Sequence, residues 1–399
     1  MFSDEKANLV QHGITPTLLY DADIASNLSG GSKRGSTYSG ALHFQLLFDG
    51  ERIVDWPGAT LFADLLDIHG GQPSDFAGDA QGVSNIAAPS RFRLYEAWLQ
   101  YNLEGGRYSI LAGRYDLNSE FYRLTSAGLF LNSSFGLGPE FAQSGRAGPS
   151  IYPDTSVGVR LSYKPVSSVV IRMAALDSTP ADSPGVPPFS VLHGDGVLLV
   201  SEFAFLTRAG PAMPPGSRRS LLGRNSSLPP YEDKVAVGGW YYTNAFDDLN
   251  EQGMAGMPIR HRGSGGGYIL LDRILYGAPD KSGGAVSGFL EAGIGDDRVN
   301  RFGSYVGLGV TGRGLIAGRQ DDEIGLAAAI GRNGSHFLTA EDRVGLQRER
   351  AEATIELAYL LKATDWLGIE PNFQYVVHPN TDPKLGNASV IQVQFEISL

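Results

Sequence analysis

Apolar and polar residues alternate in three runs near the end of the chain, Ala353–Leu361, Trp366–His378 and Val390–Leu399. In the last run, alternate residues from Ile391 to Leu399 are apolar, and the residues between them are Gln392, Gln394, Glu396 and Ser398. A period of two predicts β-strands, because successive side chains leave a strand on opposite faces. Each run has roughly the 9–11 residues with which a tilted strand crosses a bilayer. The sequence therefore predicts a barrel with lipid outside and water inside.

The same alternation, interrupted at turn-forming residues, predicts about 16 strands in a single antiparallel up-and-down transmembrane β-barrel over residues 17–399. Residues 1–16 are expected to be a periplasmic lead-in. In Phe92–Leu103 the pattern places Tyr95 outward and Glu96 inward. The strands are expected at Thr17–Ala25, Tyr38–Asp49, Ala59–Ile68, Phe92–Leu103, Tyr108–Asn118, Val157–Lys164, Val169–Asp177, Val197–Leu206, Lys234–Thr243, Tyr268–Gly277, Ala285–Gly293, Ser304–Arg313, Glu323–Gly331 and the three C-terminal runs.

The connections alternate between short turns and long polar loops, which is typical of outer-membrane barrels with short turns on the periplasmic side. Thr207–Asp233 breaks this rule, and is either an insertion or a sign of one mis-phased strand. The connection 119–155 is apolar and glycine-rich in its middle, so we expect it to fold into the barrel and narrow it. The other long loops are expected at 69–90, 178–195, 244–265 and 332–350.

Composition excludes some classes of protein and leaves others open. No stretch approaches the roughly 18 apolar residues of a membrane helix, which excludes a helical membrane protein. The net charge of -11 argues against nucleic acid as a partner. The 52 glycines and a mean hydropathy of -0.11 suit a barrel and a soluble protein equally. The first residues lack the basic and apolar regions of a signal peptide, so we expect a mature segment with an added Met or a mis-assigned start.

Several stretches of the chain form a characteristic set: Arg93–Trp98 (RLYEAW), Ala112–Asp116 (AGRYD), Asn118–Phe121, Phe130–Gly136 (FLNSSFG), Gly158–Pro165, Gly238–Tyr242, Tyr305–Gly309, Arg313–Ile316, Gly318–Asp322 and Pro371–Pro379. Taken together, they resemble the carbohydrate-selective porin family of the OprB type. The resemblance implies a 16-stranded barrel in the outer membrane of a Gram-negative bacterium and passive uptake of sugars through a constricted pore. Two features depart from the family: the chain ends in Leu399 rather than an aromatic residue, and the 207–233 connection is long.

A sugar has hydroxyl groups and apolar C–H faces, so a selective pore offers it polar groups and aromatic rings. Binding must also be weak enough for the solute to leave again. Arg114 and Asp116 stand two residues apart in a family-like segment, so we expect them to share the inward face, and they are the first candidates. Inward charges also form salt-bridge ladders that only stiffen a wall, and Trp98 also suits an interfacial aromatic belt. The candidate pore-lining residues are Arg114, Asp116, Arg160, Glu96, Trp98, Glu202 and Asp272.

Two other functions remain open at this point. An outer-membrane barrel enzyme, such as a lipase or deacylase, would need a Ser–His pair, and His43 is the histidine to consider. A soluble sugar-binding β-protein would expose a large apolar surface to water. The string Gly307–Gly312 matches a dinucleotide-binding fingerprint but lies inside a predicted strand, where that motif does not work. We expect no catalytic residues, metal or cofactor, and as partners neutral sugars, outer-membrane lipid and lipopolysaccharide, with the barrel a monomer or homotrimer.

Overall fold

The computed structural model describes residues 2–180, 196–208, 231–277 and 284–399. Sixteen antiparallel strands pair in chain order, and β1 pairs with β16 to close the barrel. This confirms the predicted fold class. The strands are β1 Ile14–Ser29, β2 Gly35–Asp49, β3 Ala59–Gly70, β4 Arg91–Leu103, β5 Tyr108–Tyr115, β6 Ser156–Val166, β7 Val169–Asp177, β8 Val197–Thr207, β9 Asp233–Gln252, β10 Pro258–Gly277, β11 Ala285–Gly295, β12 Phe302–Arg313, β13 Glu323–Asn333, β14 Ala351–Lys362, β15 Leu367–Val377 and β16 Ala388–Ser398.

Five short α-helices accompany the strands in the described part of the chain. They are α1 Phe2–Gln11, α2 Gly50–Val54, α3 Ser74–Ala77, α4 Pro139–Ala142 and α5 Ser335–Arg343. Helix α1 occupies most of the segment expected as a lead-in, and the first strand starts at Ile14 rather than Thr17. None of the helices in the described ranges is long and apolar enough to cross a membrane.

The two faces of the barrel wall carry the side chains that the alternation predicts. In the C-terminal strands Leu357 is 48% exposed and Phe373 is 39% exposed on the outer surface. Glu356 and Glu370 are fully buried on the inner surface. Because charged groups are costly in lipid, the uncharged exterior suits a bilayer and the polar groups line the lumen.

The hairpin β9–β10 is longer than the sequence predicts. The sequence predicts a long loop at residues 244–265, but both strands continue to a short connection at residues 253–257. At about 3.3 Å per residue, a 20-residue strand is much longer than the roughly 30 Å hydrocarbon layer. The outer part of the hairpin therefore stands in water, where strands carry polar residues on both faces, and its sequence resembles a loop.

Two other long connections lie largely outside the described residues. Of the predicted 178–195 loop the structure describes only residues 178–180, and of Thr207–Asp233 it describes the two ends. Strands β8 and β9 pair antiparallel from Leu198↔Tyr242 to Thr207↔Asp233. The strands on both sides of Thr207–Asp233 are therefore in phase, and the alternative of a mis-phased strand is wrong.

Candidate functional site

Two connections on the long-loop side of the barrel fold into its lumen. We call residues 71–90 loop A and residues 116–155 loop B. The apolar middle of loop B is buried: Phe130, Phe135 and Phe141 are each at most 2% exposed. The ring of Phe141 stacks on that of Trp240 on the inner wall, with 4.2 Å between ring centroids. Loop B therefore narrows the barrel, as its composition predicts.

Carboxylates on the inner wall hold loop B by its backbone. Glu356 accepts hydrogen bonds from the backbone N–H groups of Leu131 (2.6 Å) and Asn132 (3.1 Å). Asp272 accepts from the N–H groups of Thr125 (3.0 Å) and Ser126 (3.1 Å). An irregular loop has few backbone partners of its own, and buried N–H groups need acceptors. These acids satisfy that need.

Loop A is held in the same way, by lumen-facing side chains of β14, β15 and β16. Glu352 accepts from the N–H groups of Ala80 (2.8 Å) and Gln81 (3.0 Å). The side-chain amides of Gln374 and Gln392 both donate to the carbonyl oxygen of Val83, each at 2.8 Å. Many polar side chains on the lumen face of β14–β16 therefore bind the backbone of loop A. The sequence alone does not indicate this role.

The two loops meet, and a small cavity lies between them. The N–H of Ser133 in loop B donates to the carbonyl of Gly82 in loop A (2.7 Å), and the hydroxyl of Tyr152 donates to the carbonyl of Ile86 (2.6 Å). The cavity has a volume of about 120 Å³. Its walls combine side-chain amides, one carboxylate, one guanidinium and aromatic rings. They are formed by Asn85, Tyr95, Asp116, Asn118, Arg123, Leu124, Ala127, Gly128, Phe130, Asn132, Phe135, Gly136, Tyr152 and Gln394.

Asp116 and Arg123 provide the charged groups at this cavity. Asp116 accepts from the hydroxyl of Tyr95 (2.7 Å) and the N–H of Asn118 (2.8 Å). Burial raises the pKa of Asp116 to about 6, although these two hydrogen bonds and the positive charge of Arg123 act to lower it. The guanidinium of Arg123 lies 3.5 Å from the carbonyl oxygen of Asn118. The cavity thus offers a solute both a donor fork and an acceptor.

Arg160, another predicted residue, belongs to a buried ladder of alternating charges. Its Nε donates to Glu120 of loop B (2.6 Å), and Arg172 lies 3.5 Å from the same carboxylate. Arg172 also lies 3.8 Å from Glu202, which pairs with Lys234 at 3.2 Å. Burial alone would raise the pKa of Glu120, but the two guanidinium groups lower it. This ladder connects loop B to the wall rather than lining the cavity.

Glu96 and Trp98 point inward, as predicted, but neither reaches the cavity. Glu96 is buried behind Asp116 and accepts from its backbone N–H (2.9 Å). Trp98 is 1% exposed and stacks on Phe62, with 5.0 Å between ring centroids, so it is not an interfacial belt residue.

Arg114 and Asp116 do not share a face, contrary to expectation. Arg114 pairs with Ala97 of β4 and Val157 of β6, in the outward register, while its side chain is buried and Nη1 donates to the carbonyl of Leu94 (2.9 Å). Asp116 follows the end of β5 and caps the next turn. Of the seven predicted residues, Asp116 is the one that lines the cavity.

The alternation in β4 predicts Tyr95 on the outer face, and a β-bulge explains why this prediction is wrong. Asp64 of β3 pairs with Glu96, but the next residue, Leu65, pairs with Leu94, so Tyr95 is an extra residue. The insertion reverses the alternation on one side of the bulge and turns Tyr95 into the lumen. Strict alternation cannot show such an insertion. Periodicity does not indicate Arg123, Asn85 or Asn132, because these residues lie in irregular loops.

His43, the histidine considered for an enzyme, is paired with a carboxylate. Its Nδ1 lies 2.9 Å from Asp64, and both side chains are fully buried. Within the described residues its Nε2 has no hydrogen-bond partner, so no serine hydroxyl contacts it. His43 therefore does not form the Ser–His pair that the enzyme interpretation requires.

A closed barrel with an apolar exterior and a lumen narrowed by inward-folded loops defines the class of outer-membrane porins. The model of the carbohydrate-selective porin, OprB family, matches residues 33–399, and the chain belongs to this family. The protein is thus a Gram-negative outer-membrane porin for carbohydrates. Its family is one of channels rather than of enzymes.

Individual relatives are more distant. The chain is 23% identical over 428 aligned residues to Porin B of Pseudomonas aeruginosa, covering 98% of this chain and 89% of that protein. The high-pH structure of OprB from Pseudomonas putida superposes on this chain with a TM-score of 0.85 and 19% sequence identity. The superposition includes 100% of this chain and 97% of the OprB chain. The outer-membrane channel DcaP of Acinetobacter baumannii has a TM-score of 0.52 and 9% identity, and 97% of each chain is covered. These structural similarities concern the fold.

Proposed function

We propose that neutral sugars cross this barrel between loops A and B, and that the cavity bounded by Asp116 and Arg123 is where they are selected. The observation that carries the proposal is the composition of the cavity wall. It brings the amides of Asn85, Asn132 and Gln394 next to one carboxylate and one guanidinium. Amides and this charge pair supply both donors and acceptors, as a molecule with many hydroxyl groups requires.

The aromatic part of the wall suits the other surface of a sugar. The rings of Phe130 and Phe135 lie 5.1 Å apart and both border the cavity. Ring faces attract the C–H groups of a pyranose without fixing its hydroxyl groups, so they add contact area at low specificity. A site of this kind binds a solute loosely and lets it leave, which a channel needs.

The seven residues singled out in the sequence then divide into two roles. We propose that Asp116 contacts the solute. Glu96 supports Asp116 from behind, through the backbone N–H of that residue. We assign Arg160, Glu202 and Asp272 to holding loop B, because their polar groups are occupied by loop B or by other wall residues. Arg114 and Trp98 are buried in the wall and are assigned no solute contact.

Liposome swelling tests the proposal. Purified protein in liposomes should admit glucose faster than protein-free liposomes do, and disaccharides more slowly than glucose. Asp116→Asn keeps the shape of the side chain and weakens it as an acceptor, so we expect glucose uptake to fall severalfold. Asp75→Asn removes the same charge from an exposed position of α3 and is the matched control. The proposal fails if glucose enters no faster than without protein, or if the two variants behave alike.

A further inference from the structure

Residues Tyr122–Ser126 of loop B, which we call the clamped segment, are fixed to the wall through four of their backbone groups. The N–H of Tyr122 donates to Glu202 of β8 (2.9 Å). The carbonyl of Arg123 accepts from Nζ of Lys234 on β9 (2.8 Å). Asp272 of β10 then binds the N–H groups of the last two residues of the segment (3.0 and 3.1 Å). Three neighbouring strands thus hold five consecutive residues.

Tyr122 has a backbone conformation that it would not adopt on its own. Its φ is +55°, in the left-handed region that is unfavourable for a residue with a bulky side chain. The side chain is fully buried, its hydroxyl donates to Glu140 (3.0 Å), and its ring centroid lies 4.4 Å from that of Tyr268. Such a conformation persists only where the surroundings impose it, and it is common where geometry serves a function.

The wall residues of this clamp cannot themselves meet a solute. Glu202, Lys234 and Asp272 are each at most 2% exposed. Lys234 is the cation among them, and its ammonium lies between the carboxylate of Glu202 and the carbonyl of Arg123. Any influence of Lys234 on permeation therefore passes through the clamped segment. Arg123 is the charged residue that the clamped segment brings to the cavity.

We propose that Arg123 determines the affinity of the channel for hydroxyl-bearing solutes, and that Lys234 is a positioning residue that holds the Arg123 guanidinium at the cavity. The left-handed backbone conformation at Tyr122 directs the Arg123 side chain away from the wall. Lys234 holds the backbone carbonyl of Arg123 against the wall. A planar guanidinium donates in a fixed fork, so a small rotation of its backbone removes it from a neighbouring hydroxyl. This proposal rests on the sugar passage proposed above.

A double-mutant cycle tests the coupling between the two residues. The measured quantity is the glucose concentration that half-blocks the ion current through single channels in planar bilayers. Arg123→Gln should raise this concentration about tenfold, the effect of losing one hydrogen bond from a charged donor. Lys234→Met should raise it by a similar factor, and the double variant should be no worse than Arg123→Gln alone. The proposal is overturned if Lys234→Met raises the half-blocking glucose concentration by the same factor in the wild type and in the Arg123→Gln background.

Arg172→Met is the matched control, because Arg172 is a buried cation of the same ladder, 3.8 Å from Glu202, that contacts Glu120 rather than the clamped segment. It should change the half-blocking concentration less than twofold, and a change as large as that of Lys234→Met overturns the proposal. Asp272→Asn preserves the shape of its side chain and serves if Lys234→Met does not assemble. It should weaken glucose block in the presence of Arg123 and not in its absence.

The reversal potential in a KCl gradient separates failure of this inference from failure of the sugar passage. If glucose neither blocks nor permeates the wild-type channel, the sugar passage is wrong. Lys234→Met should then still shift the reversal potential more than Arg172→Met, and this excess should vanish in the Arg123→Gln background. Equal shifts in the two single variants overturn the positioning role, whatever the cargo.

Discussion

Replacing Glu356 by alanine should release the part of loop B that closes the passage. Glu356 on β14 accepts three hydrogen bonds: from the N–H groups of Leu131 (2.6 Å) and Asn132 (3.1 Å), and from the side-chain amide of Asn372 (2.6 Å). Leaving a buried donor without its acceptor costs about 1–3 kcal/mol. For the two backbone donors of loop B, the seated conformation should therefore lose roughly 2–6 kcal/mol relative to a released one.

This loss is large enough to change the population of loop conformations. Since about 1.4 kcal/mol corresponds to a factor of ten, the ratio of seated to released loop falls by at least roughly one order of magnitude. Phe130 and Asn132 flank the released backbone and also line the cavity, so release widens the passage. The barrel itself should remain folded, because the backbone of β14 pairs with β13 and β15 independently of this side chain.

Single-channel conductance and liposome swelling measure the result. Glu356→Ala should conduct more than the wild type and should raise the rate for disaccharides relative to monosaccharides. Thr354→Ala is the control, because Thr354 is the preceding lumen-facing residue of β14 and its hydroxyl has no hydrogen-bond partner among the residues that the structure describes. The anchoring role of Glu356 is refuted if a folded Glu356→Ala channel matches Thr354→Ala in conductance and in sugar selectivity.

Two further variants probe the packing of loop B. Burial raises the pKa of Glu140 in α4 from 4.5 to about 7, so the folded protein favours the protonated carboxyl group. The stability that this protonated group contributes is complete below about pH 4.5 and is lost as the pH rises through about 7. The urea-unfolding free energy in lipid should thus fall more between pH 5 and pH 8 in the wild type than in Glu140→Gln, by roughly 3 kcal/mol, and parallel pH profiles would contradict this. Gly325→Val should lower conductance, because a Cβ at Gly325 would lie 2.7 Å from Leu129 and Phe130 and press their side chains toward the cavity. Ala328→Val, on the outer face of the same strand, should conduct like the wild type, and equal conductance of the two variants would speak against this packing.

The barrel could be predicted from the sequence because strand alternation is a local property. Whether Glu356 faces the lumen depends only on its neighbours in β14, since side chains in a strand alternate wherever the strand is regular. Prediction of faces failed at Tyr95, where one inserted residue changes the phase. Prediction of length failed in β9 and β10, where the strands leave the bilayer and the apolar signal ends.

The site could not be predicted in the same way, because it is made by contacts between distant parts of the chain. Glu356 and Leu131 are 225 positions apart, and Gln392 and Val83 are 309 apart. A lumen-facing polar side chain has the same pattern whether it contacts a solute or a loop backbone. Loop A illustrates the second case: its Gly/Pro/Ser/Asp composition is typical of a solvated loop, yet wall side chains provide partners for its backbone and draw it inside.

The chemistry of the lumen also explains why so many wall residues are acids. Irregular backbone at membrane depth is tolerated only where protein or water satisfies it. Where loops A and B reach the wall, consecutive N–H groups point at it, as at Leu131 and Asn132 or Thr125 and Ser126. A carboxylate accepts two such donors at once, whereas a lysine or arginine accepts none. Glu356, Asp272 and Glu352 each bind a pair in this way, so part of the acidity of this chain follows from filling a barrel with irregular loops and does not indicate a cationic cargo.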